Sequence, residues 1–193
     1  MTRILIIQGH PDQGARHFGH ALAEAYAEAA ASAGHAVEQL ELATLDFPLL
    51  RSQHEQEHGV VPEPIGAAQA RIKAAEHVVV VFPLWLGTMP ALVKAFFEQT
   101  LRPGFVYSAD GGPFKGALLK GRSLRIVITM GMPVWYYRLV YGAHSLKAMK
   151  IGLFGFVGFK PIRTCLIGNV ASHDGAGREA WLKRMRALGA GAR

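Results

Sequence analysis

The residues best suited to chemistry fall in three short stretches. The first is FPLWLGTMP at 82–90, which follows the apolar run HVVVV at 77–81 and precedes ALVKAFFEQT at 91–100. The run has the shortness and β-branched content of a buried parallel strand, and the segment after the stretch reads as a helix. Between them stand a large flat ring, Trp85, a flexible backbone position, Gly87, and a rigid one, Pro90. A loop at the carboxyl end of a parallel strand is where open α/β sheets bind ligands. This composition suits a planar cofactor held by backbone groups and ring packing.

The second stretch is GHPDQGARHF at 9–18, between a first strand and a first helix. A helix N-terminus offers free backbone N–H groups and the positive end of the helix dipole, which together favour a phosphate. His10, Arg16 and His17 add donors to it. The third stretch, TMGMPVWYY at 129–137, follows another strand on the same carboxyl edge. Gly131 permits close backbone approach. Trp135, Tyr136 and Tyr137 supply rings and phenolic hydroxyls, and His144 follows. These aromatics read either as the lining of a substrate pocket over a flat cofactor or as core and dimer-interface residues.

Several sharper chemistries fail on residue type, pattern or context. Gly9 and Gly14 have the spacing of a P-loop, but Ala15 and Arg16 stand where it needs Lys and Ser or Thr. The same loop lacks the G-x-G-x-x-G pattern of a dinucleotide fingerprint. HEQEH at 54–58 matches the zinc-protease pattern H-E-x-x-H. It sits in a polar, proline-bounded segment with no clear helical period and no evident third ligand, so a solvated loop or a partner contact is the expectation. No metal site is expected. No G-x-S-x-G nucleophile elbow is present. With so little acid–base machinery, a cofactor is the expected source of the chemistry.

The elements that must position these stretches alternate along the chain. Strands are expected at 3–8, 36–41, 77–82, 123–129 and 162–167. Helices are expected at 17–33, 65–75, 90–101, 144–153 and 177–189, with Gly34 ending the first. Residues 44–64 and 102–121 read as long loops, rich in proline, glycine or polar residues. Strands alternating with helices imply an α/β fold, a parallel sheet with helices on both faces. Five strands fit the doubly wound, flavodoxin-like order 2-1-3-4-5, and no repeat or linker divides residues 1–193 into more than a single domain.

Composition narrows the classes. Half of the 193 residues are hydrophobic, which argues against disorder. The single cysteine, Cys165, excludes an intramolecular disulfide framework and any multi-cysteine metal site, and its strand-like surroundings suit plain packing. The opening MTRILII is too short for a signal peptide and reads as the first strand. No run reaches about 18 apolar residues, so no membrane insertion is expected, and the cytoplasm is the expected location. The net charge of +7 is spread over scattered Lys and Arg residues without a nucleic-acid motif. Its expected role is to attract anionic cofactors rather than nucleic acid.

Taken in order, IIQGHPD at 6–12, FPLWLGTMPALVKAFF at 82–97, RPGF at 102–105, TMGM at 129–132, GAHSL at 142–146 and LFGFVGF at 153–159 resemble a known family. It is that of the flavodoxin-like NAD(P)H:quinone oxidoreductases. The family includes mammalian quinone reductases, bacterial modulator-of-drug-activity proteins and ancillary reductases of potassium efflux. The resemblance spans nearly the whole chain. It implies a cytoplasmic homodimer holding FMN or FAD, reduced by NAD(P)H and reoxidised by a quinone or related aromatic acceptor in a ping-pong cycle. The short chain favours FMN. The resemblance sets His10, His17 and Phe18 by the flavin phosphate, and Pro83, Leu84, Trp85, Leu86 and Gly87 along the flavin ring. Thr129, Gly131 and Met132 fall on its other side. Tyr136 or Tyr137, and His144, correspond to residues that poise the hydride acceptor, and Tyr137 and His144 are the residues expected to stabilise negative charge at the flavin or acceptor. Ala15, Arg16 and Gly19 stand where the family often has Ser or Thr and Asn, which removes phosphate donors unless Arg16 compensates, and Leu84 stands where it often has Gln before the ring-loop Trp. The alternative function is that of a regulatory flavoprotein, an accessory subunit of a membrane transporter contacting it through residues 51–64.

Overall fold

The apolar runs expected as strands form one parallel sheet in a computed structural model that describes residues 1–107 and 117–192. They are β1 (Arg3–Gln8), β2 (Ala36–Glu41), β3 (His77–Pro83), β4 (Ser123–Thr129) and β5 (Ile162–Ile167). Their order is β2-β1-β3-β4-β5. The central strands are mostly apolar because both of their faces are covered. β2, at an edge, is buried only at Leu40.

The helices are α1 (Phe18–Ser32), α2 (Gln53–His58), α3 (Glu63–Ala74), α4 (Ala91–Thr100), α5 (Val134–Leu139), α6 (His144–Ala148) and α7 (Gly175–Ala190). Alternate strand residues divide the core. Leu5, Ile7, Val78, Val80, Ile126 and Ile128 pack with Ile65 and Ile72 of α3 and Phe96 of α4. Ile4, Ile6, Val79, Val81, Val127 and Cys165 pack with Leu22 and Tyr26 of α1 and Met185 of α7. Each large side chain buried this way contributes about 1.5–3 kcal/mol. Cys165 is free and buried, and burial pushes its thiol above the usual range. The two outer helices approach closely where Gly189 of α7 meets α1: a Cβ there would stand 2.2 Å from the Tyr26 carbonyl oxygen.

The expectation of a long loop over 44–64 is corrected in part, since α2 lies inside it. The Ser52 hydroxyl accepts the Glu55 N–H at 3.1 Å, and the Glu55 carboxylate accepts the Arg51 N–H at 2.9 Å. These two bonds at the N-terminus supply what the short, wholly polar helix lacks in apolar period. HEQEH is therefore helical, with the His54 and His58 rings 5.3 Å apart. Among the described residues no group of three or more His, Cys, Asp or Glu is placed to hold a metal ion. The helix expected at 144–153 is α6 followed by a π-helical turn, Met149–Gly155. α5 occupies a segment read as loop. The loop expected at 102–121 lies in part outside the described residues. Among the described residues no helix is long and apolar enough to cross a membrane.

Candidate functional site

Three loops meet at the carboxyl edge of the sheet. Each is tied to a neighbouring strand by backbone hydrogen bonds: Gly9 N–H to the Val81 carbonyl at 2.7 Å, Leu84 N–H to Thr129 at 2.7 Å, and Met130 N–H to Ile167 at 2.8 Å. Gly9 is needed for the first of these contacts, because a Cβ there would come within 2.7 Å of Val93 Cγ2. Between the loops lies a cleft of about 330 Å³ lined by His10, His17, Phe18, Gly19, Pro83, Leu84, Trp85, Thr129, Met130, Gly131 and Val170. The tertiary structure thus gathers eight of the expected residues from three distant segments: His10, His17, Phe18, Pro83, Leu84, Trp85, Thr129 and Gly131.

The β1–α1 loop is organised by its own side chains. His10 Nδ1 accepts the Asp12 N–H at 3.2 Å, so a neutral His10 carries its proton on Nε2. The His17 ring stacks on His10 with centroids 3.7 Å apart and places Nε2 2.7 Å from Asp12 Oδ2. His20 Nδ1 accepts the His17 N–H at 3.0 Å, and its Nε2 lies 3.4 Å from Glu41. Burial, then the neighbouring His17 and His20, hold the His10 imidazole below its usual range. Burial also lowers His20, against the pull of Glu41. The first turn of α1 leaves the Phe18 and Gly19 N–H groups without a partner among the described residues. Unpaired N–H groups at the positive end of a fifteen-residue helix are suited to an anion.

The β3–α4 loop presents the Trp85 indole, 47% exposed and edge-on to His10 with centroids 6.0 Å apart. Across the cleft, Gly131 has nothing within 4 Å of where a Cβ would stand, so the backbone faces open space there. A flat ring between an aromatic wall and bare backbone, with an anion at the helix end, is what this arrangement can hold.

Other expected residues lie elsewhere. Arg16 is exposed and ion-paired with Glu24, away from the cleft. Leu86 stands at the tip of its loop, fully exposed, with φ 47°. Gly87, φ 81°, backs onto the Tyr141 ring, where a Cβ would sit 3.0 Å away. Met132 packs against the core. Tyr137 is wholly buried, and its hydroxyl accepts the Leu146 N–H at 3.2 Å. Burial raises that phenol's pKa. His144 is exposed, with its ring against Gly142. Neither Tyr137 nor His144 lines the cleft. Sequence reasoning missed Met130 and Val170 as lining residues. Val170 follows β5, and the preference of ligands for carboxyl ends of strands would have pointed to it.

Residues 2–188 match the model of a protein family described by its flavodoxin-like fold. A Haemophilus influenzae protein named an uncharacterized NAD(P)H oxidoreductase is 30% identical, over 93% of this chain and 90% of its own. An FMN-dependent NADH:quinone oxidoreductase of Nitratidesulfovibrio vulgaris is 27% identical, over 86% of each chain. Among solved structures, the NAD(P)H:quinone oxidoreductase from Methanothermobacter marburgensis superposes with a TM-score of 0.82 at 25% identity, covering 98% of this chain and 96% of its own.

Proposed function

Because the chain belongs to the flavodoxin-like fold family, we propose that it is a flavin-dependent NAD(P)H oxidoreductase that reduces quinones or related aromatic acceptors. The observation that carries this reading is the cleft itself, with Trp85 on one side, bare Gly131 backbone on another and the unpaired N–H groups of Phe18 and Gly19 at its end. Those residues fit a flavin: the helix end for its phosphate, the Trp85 and Gly131 loops for its ring. FMN is the form proposed, as in the Nitratidesulfovibrio relative.

A bound flavin supplies the hydride-transfer chemistry. The chain's own part is to bind and orient. His10 and His17 face the phosphate end. Thr129 and Leu84 are locked together by their backbone hydrogen bond, which keeps two ring-binding loops in register. Ser145 donates to the Thr88 hydroxyl at 2.9 Å and so braces the Trp85 loop from behind. Tyr137 acts as a positioning residue, since its carbonyl and hydroxyl accept the N–H groups of Ala143 and Leu146 on either side of His144. The nicotinamide donor and the acceptor use the open side of the cleft in turn. The cytoplasm, with its supply of reduced nicotinamide, is the compartment this reading implies.

A homodimer is part of the proposal. An apolar groove of about 870 Å³ runs from Trp85 and Leu86 past Met89 to Met149 and Leu153. It adjoins the cleft through Trp85. Leu86, Leu139 and Ile151 are all more than 70% exposed. Apolar surface of this extent, reaching the site, is what a second copy would cover. The accessory-subunit alternative draws no support from the relatives described above, which carry enzyme names.

The test is a visible spectrum of the purified protein after FMN and FAD are each offered and excess removed. Absorbance retained near about 450 nm, bleached by NADH or NADPH and restored by a quinone, is the expected result. Protein that retains neither flavin overturns the reading.

A further inference from the structure

Arg125 and Arg163 are partners in register on the neighbouring strands β4 and β5. Each stands two residues before a core residue, Val127 and Cys165, on the face that packs under α1 and α7. Strand side chains alternate between faces, so both arginines project to the α7 side of the sheet. A third, Arg184, comes from α7 itself. The three line one cavity of about 400 Å³, whose remaining wall is Ala187 and Leu188. Arg125 and Arg163 lie at the amino ends of their strands, so this cavity is at the opposite edge of the sheet from the cleft.

Like charges side by side on adjacent strands repel, and clustering them is unfavourable unless something negative joins them. Arg125 is the floor of the cavity, only 5% exposed, whereas Arg163 and Arg184 are exposed. The Arg163 and Arg184 guanidinium groups form no hydrogen bond or ion pair with any described residue. Arg184 lies over the Trp181 ring, 5.2 Å from its centroid. The charges that act on Arg125 come from Arg163, Arg184, Cys165 and Tyr26, and those that act on the nearby His77 come from Arg125 and Arg163. No carboxylate of the described residues is among them. The C-terminal end of α7 offers only about half a negative charge, well short of three cations.

We propose that this cavity binds the phosphoryl group of a small phosphate ester, at a site separate from the flavin cleft. Guanidinium forks match phosphoryl oxygens two at a time, which is why arginine is favoured wherever a phosphate is held. Arg163 and Arg184 supply the open donors, Arg125 deepens the positive field from below, and Ala187 and Leu188 give the body of the ester an apolar wall. The site is independent of whether the cleft holds a flavin.

The experiment titrates inorganic phosphate into protein loaded with FMN and freed of excess, at about pH 7.5, where phosphate is mostly a dianion. Ionic strength is held constant with sodium chloride, and the histidine imidazole signals are followed by NMR. His77 reports the amino edge, and His10 and His17 report the cleft. The expected result is movement of the His77 signals along a saturable curve with a Kd of about 1 mM or tighter. Arg163→Ala and Arg184→Ala are each expected to weaken that binding about tenfold, the size of one lost charge-assisted hydrogen bond. Arg163→Lys keeps the charge without the fork and is expected to weaken it about threefold. Movement confined to His10 and His17 would place phosphate at the cleft only and overturn the inference. Movement of His77 that does not saturate, or a curve that both alanine variants leave unchanged, would mean an adventitious ion only and overturn it as well.

Discussion

Trp85 and Thr88 exchange both of their backbone hydrogen bonds, Trp85 N–H to the Thr88 carbonyl at 2.9 Å and Thr88 N–H to the Trp85 carbonyl at 3.0 Å. They close a two-residue hairpin whose central residues, Leu86 and Gly87, have φ of 47° and 81°. Positive φ at both positions is the geometry that favours Asn-Gly, and a leucine is costly there. The hairpin holds the indole at the cleft and sets Leu86 fully exposed beside the apolar groove. Leu86→Asn is therefore expected to raise the stability of the monomer by about 0.5–1 kcal/mol while weakening self-association. Urea unfolding at low protein concentration and sedimentation across a concentration series check the two effects. An unchanged association constant would remove Leu86 from the proposed dimer face.

Two substitutions separate cofactor retention from folding. Trp85→Ala removes the aromatic wall and is expected to weaken flavin retention about tenfold, the size of a lost stacking contact. Gly131→Val places a side chain in open space, where nothing in the chain opposes it. The Gly131→Val protein should melt within about 0.5 kcal/mol of wild type, as surface changes usually do, yet retain no flavin. Flavin retained in full by Gly131→Val would rule out close approach of the ring at that backbone.

Tyr137 is wholly buried, with its hydroxyl hydrogen-bonded to the Leu146 N–H. Tyr137→Phe is expected to cost about 0.5–1.5 kcal/mol of stability through that lost bond. With a positioning role, the variant should keep the wild-type pH profile of hydride transfer. A displaced pKa in the kcat profile would instead put the phenol in contact with the reacting groups.

Stability should also depend on pH through His77. Its imidazole is 1% exposed, and burial, with Arg125 and Arg163 nearby, lowers its pKa from the usual 6.5 to about 4. The unfolded chain takes up a proton near the ordinary value while the folded chain resists it. The contribution is thus complete above about pH 6.5 and is lost as pH falls towards 4, a loss on the order of 3 kcal/mol. The lowered values of His10 and His20 act in the same direction. Denaturant unfolding at stepped pH measures the slope, and a histidine NMR titration of His77 gives the folded value directly. A His77 that titrates near 6.5 in the folded protein would remove the effect.

Much of the fold was legible because a parallel sheet covered on both faces writes its strands as apolar runs. The bounds expected for β1, β2, β4 and β5 are those found, and the order 2-1-3-4-5 follows from alternating strands and helices. The same logic located the three loops of the cleft, since strand ends are set by the runs that precede them. Short-range pattern said less about α2 and α5, whose six residues each are too few for an apolar period to emerge.

The destinations of individual side chains were decided by tertiary packing. Tyr136 and Tyr137 are neighbours of like chemistry, yet the first is 37% exposed and the second 0%, because α5 turns only one of them into the core. Arg16 goes to Glu24, one helical turn and more along α1, instead of to the cleft. Val170 joins the cleft from beyond β5, far along the chain from His10. A sequence fixes which segments are apolar and where they stop. Which polar group meets which is settled only when elements distant in sequence close on each other and leave each side chain the space that remains.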